Sequence, residues 1–171
     1  LEKQVLDDAS AVVAVSPLVQ KDFQSMTSTP VELITNGFDE DDYKGELPGH
    51  EGKFHLVHTG LFASDGIPEI LWKVLADKTL ADPEFASALR IRLVGKTDRE
   101  VVDSIARAGL SEQLDNLGYQ PHKTAVLEQR SADILMLPLR KEPEYRAVLP
   151  GKLFEYLAAR RPILGIGQSD G

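Results

Sequence analysis

The chain contains no cysteine, so a disulfide framework and a thiolate metal site are both excluded. No apolar run approaches the ~20 residues of a transmembrane helix and no signal peptide is visible. A cytoplasmic protein is therefore the expectation, with a place at the inner face of the membrane left open. Lysine and arginine form no cluster, and the formal net charge of -8 argues against nucleic acid as a partner. No Gly-x-Gly-x-x-Gly follows any apolar run, which counts against a dinucleotide enzyme. His50, His55, His58 and His122 lack metal-ligand spacing, so no bound metal is expected. No Ser-His-Asp arrangement can be argued, and no internal repeat or low-complexity tract occurs.

What is present is an alternation of short apolar runs and helical patterns. The 171 residues suffice for one domain with a sizeable core, or for one domain plus part of another. Val12–Ser16 and Val31–Thr35 read as strands, with Ser16-Pro17 starting a helix between them and Asn36-Gly37 turning the chain after the second. Residues 38–52 are acidic and without periodicity, and read as a linker. Phe54–Thr59 is a strand running into Gly60, and Ile67, Ile70, Leu71, Val74 and Leu75 give a helical stripe after it. Ile91–Gly95 is the next strand. Thr97 and Glu100 have capping-box spacing ahead of Val101, Val102 and Ile105, in a helix that Gly109 stops. Strand 114–118, helix 122–130 and strand 134–139 follow. Strands that are apolar throughout, separated by helices, predict a parallel sheet covered on both faces: a Rossmann-like, doubly wound α/β domain.

The most informative segment is residues 150–167, PGKLFEYLAARRPILGIG. Pro150-Gly151 opens a short helix, Pro162 is expected to stop it, and Ile163–Gly167 reads as a buried strand. Leu153, Phe154, Leu157 and Ala158 are spaced as one apolar face, leaving Lys152, Glu155 and Ala159 on the other. A helix N-terminus suits a phosphate, and a carboxylate one turn further in can accept hydrogen bonds from sugar hydroxyls. A bare Lys-x-x-Glu is commonly a solvated i, i+3 pair. The Pro-Gly entry, the helix start and the carboxylate together outline a nucleotide-binding corner, and both readings stand on these residues alone.

The same residues resemble the donor-site motif of retaining glycosyltransferases of the GT-B fold, in particular the family-four group. The resemblance runs along nearly the whole chain: VVAVSPLVQKDF, VELITNGFD, FHLVHTG, IRLVG, DNLGY and SADILMLPL match in order. It implies that residues 1–37 are the end of the N-terminal domain and crossover, that 38–52 are the linker, and that 53–171 are an incomplete donor-binding domain. A first residue other than methionine and an end at Asp170-Gly171, just past a strand, fit a piece of a longer protein that is inactive by itself.

The resemblance also implies site roles. Glu155 takes the place of the glutamate that holds the donor ribose, with Lys152 neutralising the diphosphate and Leu149, Pro150 and Gly151 as the entry turn. Gly60 and Ser64 fall in the loop where the family's backbone approaches phosphate, although Asp65 stands where relatives carry a basic residue. Tyr119 falls where relatives place the base. Gly95-Lys96-Thr97 is not a P-loop, because Arg90 occupies the position of its first glycine, but Lys96 lies at a strand end facing the cleft and stays a candidate. Many relatives have a second glutamate eight positions before the first; Ala147 stands there, and Glu142 and Glu144 are out of register. The catalytic, sugar-facing residues are therefore unassigned.

The activity implied is transfer of a sugar, a hexosyl group, from a nucleotide-sugar co-substrate to a carbohydrate or lipid-linked acceptor, with retention and without a further cofactor. Peripheral membrane association through the N-terminal domain is open. Two other readings stand beside it: a nucleotide-sugar epimerase, and a degenerate, non-catalytic binding module, which Asp65 and Ala147 would suit.

Overall fold

The computed structural model describes residues 1–46, 52–139 and 149–167. His50, Glu142, Glu144, Ala147 and the final Asp170-Gly171 lie outside the described residues. The chain forms α1 (Glu2–Asp8), β1 (Val12–Ala14), α2 (Pro17–Met26), β2 (Val31–Leu33), β3 (Phe54–Thr59), α3 (Glu69–Ala81), α4 (Pro83–Ala88), β4 (Leu89–Val94), α5 (Arg99–Arg107), β5 (Leu114–Gly118), α6 (His122–Arg130), β6 (Ile134–Pro138), α7 (Gly151–Ala159) and β7 (Ile163–Ile166). β1 and β2 pair in parallel as a small sheet. Ser16 caps α2 as its position before proline predicts, accepting from the Val19 N–H at 3.3 Å.

The other five strands are all parallel, in the order β5-β4-β3-β6-β7. The chain winds outward from β3 to β4 and β5, then returns to the other side of β3 for β6 and β7. That reversal makes a doubly wound sheet, with its switch point between β3 and β6. Side chains of successive residues point to opposite faces. On one face Leu56, Ile91, Leu93 and Met136 pack with Trp72 of α3 and with Val101 and Ile105 of α5. On the other, Val57, Val94, Leu135 and Leu137 pack with Tyr156 and Ala159 of α7.

Two helices, α3 and α7, sit differently from their apolar spacing, and α5 is capped differently from the expectation. In α3 the buried side chain is Trp72, with Leu71 and Leu75 packed beside it, whereas Ile70 is 82% exposed and Val74 faces solvent. α3 is apolar on more than one side, so periodicity leaves its rotation open. The largest ring takes the core, where its indole N–H donates to the Ser104 hydroxyl at 3.1 Å. In α5 the capping box does not form. Thr97 instead bridges Phe62, Asp98 occupies the cap position, and Glu100 pairs with Arg107 at 2.7 Å. The loop after β3 thus extends the sheet past its last formal residue. α7 is discussed below, since its rotation builds the site.

The stretch read as a linker contains a short 3-10 turn, Glu40–Tyr43, docked on α6. Arg130 donates to the carbonyls of Lys44 and Gly45 at 2.8 and 2.5 Å, and His122 pairs with Asp42 at 2.7 Å. No helix among the described residues is long and apolar enough to cross a membrane.

Candidate functional site

In an open parallel sheet, ligands bind outside the carboxyl ends of the strands at the switch point, here between the ends of β3 and β6. The backbone at that edge is shaped by glycine. β3 and β4 give way to Gly60 and Gly95, and β5 ends on Gly118, with φ of +88°, +128° and +61°. The Gly60 N–H donates to the Val94 carbonyl and the Gly95 N–H to the Gly118 carbonyl, each at 2.7 Å. A Cβ on Gly95 would lie well inside contact distance of the Gly60 carbonyl. A side chain is therefore excluded at Gly95, where the ends of β3 and β4 meet, and the backbone forms a low shelf.

Lys152 crosses that shelf. A Cβ on Gly60 would meet its Cε at 2.7 Å, so the lysine stem lies directly against the glycine. Its ammonium donates to the Leu61 carbonyl at 2.7 Å and lies 3.2 Å from His58 Nε2. His58 Nδ1 faces the Met136 carbonyl at 3.0 Å and Nε2 the Leu61 carbonyl at 3.3 Å; of the two neutral tautomers, the one with its proton on Nδ1 lets Nε2 accept from the lysine. Burial, and then the lysine charge, lower the His58 pKa to about 4, so the ring is neutral near pH 7.

α7 is rotated relative to the face that its apolar spacing predicts. Tyr156 and Ala159 are buried and Leu157 is exposed, while Leu153 packs only partly against the core. The inner face is Lys152–Tyr156–Ala159, spaced i, i+4, i+7. A backbone requirement selects it: the Tyr156 hydroxyl accepts from the Thr59 N–H at 2.9 Å, satisfying an otherwise orphaned donor at the end of β3. Burial pushes the Tyr156 phenol up to about 12. The helix stops at Arg160, whose φ of 55° is left-handed, before Pro162 is reached.

Glu155, half-buried beside this face, is held by Gln129 of α6. The Gln129 amide nitrogen donates to Glu155 Oε2 at 2.8 Å and to the Thr59 hydroxyl at 3.0 Å. Its carbonyl oxygen accepts from the Tyr43 hydroxyl at 2.8 Å. Burial, followed by the charge of Glu155, raises the Tyr43 phenol far above its ordinary value, so it remains a proton donor.

The sequence candidates thus fall into two groups. Gly60, Lys152 and Glu155 converge at the switch point, with Leu149 and Pro150 half-buried at the mouth of α7 and Gly151 open to solvent. Lys96 and Tyr119 stand at the same edge beyond β4 and β5, both exposed, Tyr119 at 87%. Ser64 does not start a helix: it opens a 3-10 turn, and α3 begins at Glu69. Its N–H already donates to Asp98 at 3.0 Å, and the Gly66 N–H to Ala63 at 3.2 Å, so the loop offers neither amide to an anion. Sequence reasoning gave His58 no role once metal-ligand spacing was lacking, and gave no place to Gln129, Tyr43 or Tyr156. For His58 the signal in the sequence was its place within an apolar strand, and the other three carry no local signal. Among the described residues no three His, Asp or Glu side chains are grouped to hold a metal ion.

No protein-family model matches the chain, and no curated protein matches it. Solved structures do. Sucrose-phosphate synthase from Thermosynechococcus elongatus superposes with a TM-score of 0.72 at 17% identity, over 96% of this chain and 42% of that one. S. aureus TarM, solved with UDP, gives 0.67 at 14% identity, over 96% and 32%. The pneumococcal O-GlcNAc transferase GtfA, in complex with UDP and GlcNAc, gives 0.65 at 13%, over 96% and 31%. The chain therefore spans between three tenths and just over two fifths of the length of these three proteins. Its fold is that of the C-terminal half of the GT-B glycosyltransferases.

Proposed function

We propose that the chain supplies the donor-nucleotide half-site of a retaining glycosyltransferase, which moves a sugar from a nucleotide-sugar to a carbohydrate or lipid-linked acceptor. In this reading residues 1–37 belong to the preceding domain and crossover, 38–52 join the two, and 53–171 bind the donor. The observation that carries it is Lys152 lying on the glycine shelf at Gly60, with Glu155 one turn further along α7 and tied through Gln129 to Thr59 at the end of the same strand. The presence of UDP in the TarM and GtfA structures supports a nucleoside diphosphate as ligand class.

The roles follow from charge and geometry. The difficult part of glycosyl transfer is negative charge developing on the departing diphosphate. Lys152 and the N-terminal turn of α7, entered through Leu149, Pro150 and Gly151, stabilise that charge where Gly60 lets it approach the backbone. Lys152 exchanges its carbonyl partner Leu61 for phosphate oxygen. Glu155 accepts from the ribose hydroxyls and orients the nucleoside without taking part in bond making. Tyr119 stacks on the base, and Lys96 and the Ser64 hydroxyl lie at the rim.

The test is calorimetric titration with UDP, GDP and ADP of the wild type, Lys152→Ala and Glu155→Ala. One diphosphate should bind saturably, and each variant should lose roughly 10-fold or more, the scale of one charge-assisted hydrogen bond. Absence of binding to all three, in this chain and in a full-length protein containing it, would favour the degenerate module and overturn the proposal.

A further inference from the structure

We propose that Gln129 and Tyr43 are positioning residues that fix the carboxylate of Glu155, so that the segment leading into the donor domain sets how the donor ribose is read. The inference rests on the reading of Glu155 as the ribose acceptor.

Gln129 is 1% exposed, and each polar position of its amide has a defined partner. The two N–H bonds go to Thr59 and Glu155, and the carbonyl receives the Tyr43 hydroxyl. The reversed amide would set its oxygen against the Glu155 carboxylate, which has no proton to give, so only one orientation is compatible with that neighbour. Oε2 of Glu155 is thereby anchored. Oε1 accepts no hydrogen bond from any described residue and is the atom left for a ligand hydroxyl.

Tyr43 lies outside the doubly wound unit in sequence, in the turn that precedes β3 by ten residues. It is held there independently of Glu155. Arg130 grips the carbonyls of Lys44 and Gly45, His122 pairs with Asp42, and Phe38 packs edge-on to the Tyr43 ring at 5.9 Å. Arg130, His122 and Asp42 thus dock this segment on α6, and one hydrogen bond passes from it through Gln129 to the donor carboxylate. A structural Gln129 would need its carbonyl and both N–H groups satisfied, but any acceptor could take the second N–H. The additional bridge to a half-buried carboxylate with one oxygen still open is what assigns it a positioning role.

The readout is ribose discrimination: the Kd of the 2′-deoxynucleoside diphosphate divided by that of its ribose parent, for whichever of UDP, GDP and ADP binds. Wild type should discriminate about 10-fold, the scale set by leaving a built acceptor unpaired, and Glu155→Gln should bring the ratio close to 1. Gln129→Leu should lower the ratio to about 2 while diphosphate binding through Lys152 persists, and Tyr43→Phe should give an intermediate value. Loss of stability alone would weaken both ligands equally and leave the ratio at its wild-type value. A wild type that fails to discriminate would overturn the role of Glu155 itself, and this inference with it. A discriminating wild type whose ratio survives in a folded Gln129→Leu protein would overturn the positioning role and leave Glu155 standing. If Gln129→Leu does not fold, an unchanged ratio in Tyr43→Phe, which retains Gln129, overturns it equally.

Discussion

Lys152 lies across Gly60 and places its ammonium 3.2 Å from Nε2 of the buried His58. A lysine normally lowers the value of a site for another cation. Here the cation partner is a neutral ring, kept so by burial and then by the lysine charge, against the opposing pull of the carbonyls of Met136 and Leu61. The pair therefore presents one positive charge at the switch point rather than two.

This arrangement predicts a pH dependence of stability. The folded-state pKa of His58 is about 4, below its ordinary 6.5. The unfolded chain then binds more protons between those values, so the contribution of His58 is complete above about pH 6.5 and is lost as pH falls toward 4. The shift corresponds to on the order of 3 kcal/mol. The exposed His122–Asp42 pair acts in the opposite sense, since His122 is raised by its hydrogen bond to Asp42 and stabilises at low pH. Urea denaturation of wild type and His58→Gln at pH 7.0 and 4.5 separates the two. Wild type should lose markedly more stability than the variant, and equal losses would show that His58 is not held neutral by the fold.

The glycine shelf predicts unequal costs at superficially similar positions. Gly118→Ala places a Cβ in open space at a φ of +61°, where the left-handed region costs about 1–2 kcal/mol. Gly95→Ala combines a φ of +128° with collision against the Gly60 backbone, which no rotamer relieves. It should cost about 3 kcal/mol or more. Denaturation midpoints that fall together would contradict the stacking of the strand ends.

The rotation of α3 is testable by the same means. Trp72→Ala removes a buried ring and the partner of Ser104 and should cost roughly 3–5 kcal/mol. Ile70→Ala, on the exposed side, should change stability by no more than about 0.5 kcal/mol. Comparable losses at both positions would return the helix to the rotation that its apolar spacing suggests.

The order and type of the elements were legible because strands buried on both faces must be apolar throughout, and helices between them must carry a stripe. β3 at Phe54–Thr59, β5 at Leu114–Gly118 and α6 at His122–Arg130 were read to the residue. α1 and α4 were not read at all: each is under eight residues, too short for a periodicity. Helix rotation was the weaker part. α3 and α7 both offer several apolar sides, and what selected among them was a polar group on the buried side, the Trp72 indole N–H in one and the Tyr156 hydroxyl in the other.

The candidate site divides in the same way. Gly60, Lys152 and Glu155 were readable because strand-end glycines and helix-entry charges are local features, set by φ and by the first turn of a helix. That they meet follows from the strand order β5-β4-β3-β6-β7, which puts residues nearly a hundred positions apart at one edge. Gln129 and Tyr43 have no local signature, since a glutamine within a helix and a tyrosine in an acidic turn are unremarkable until packing buries them. Local geometry and apolar patterning were thus determined by sequence alone. The partners of buried polar groups were decided by tertiary structure, because an amide or hydroxyl must be satisfied by whatever the completed fold places within about 3 Å of it.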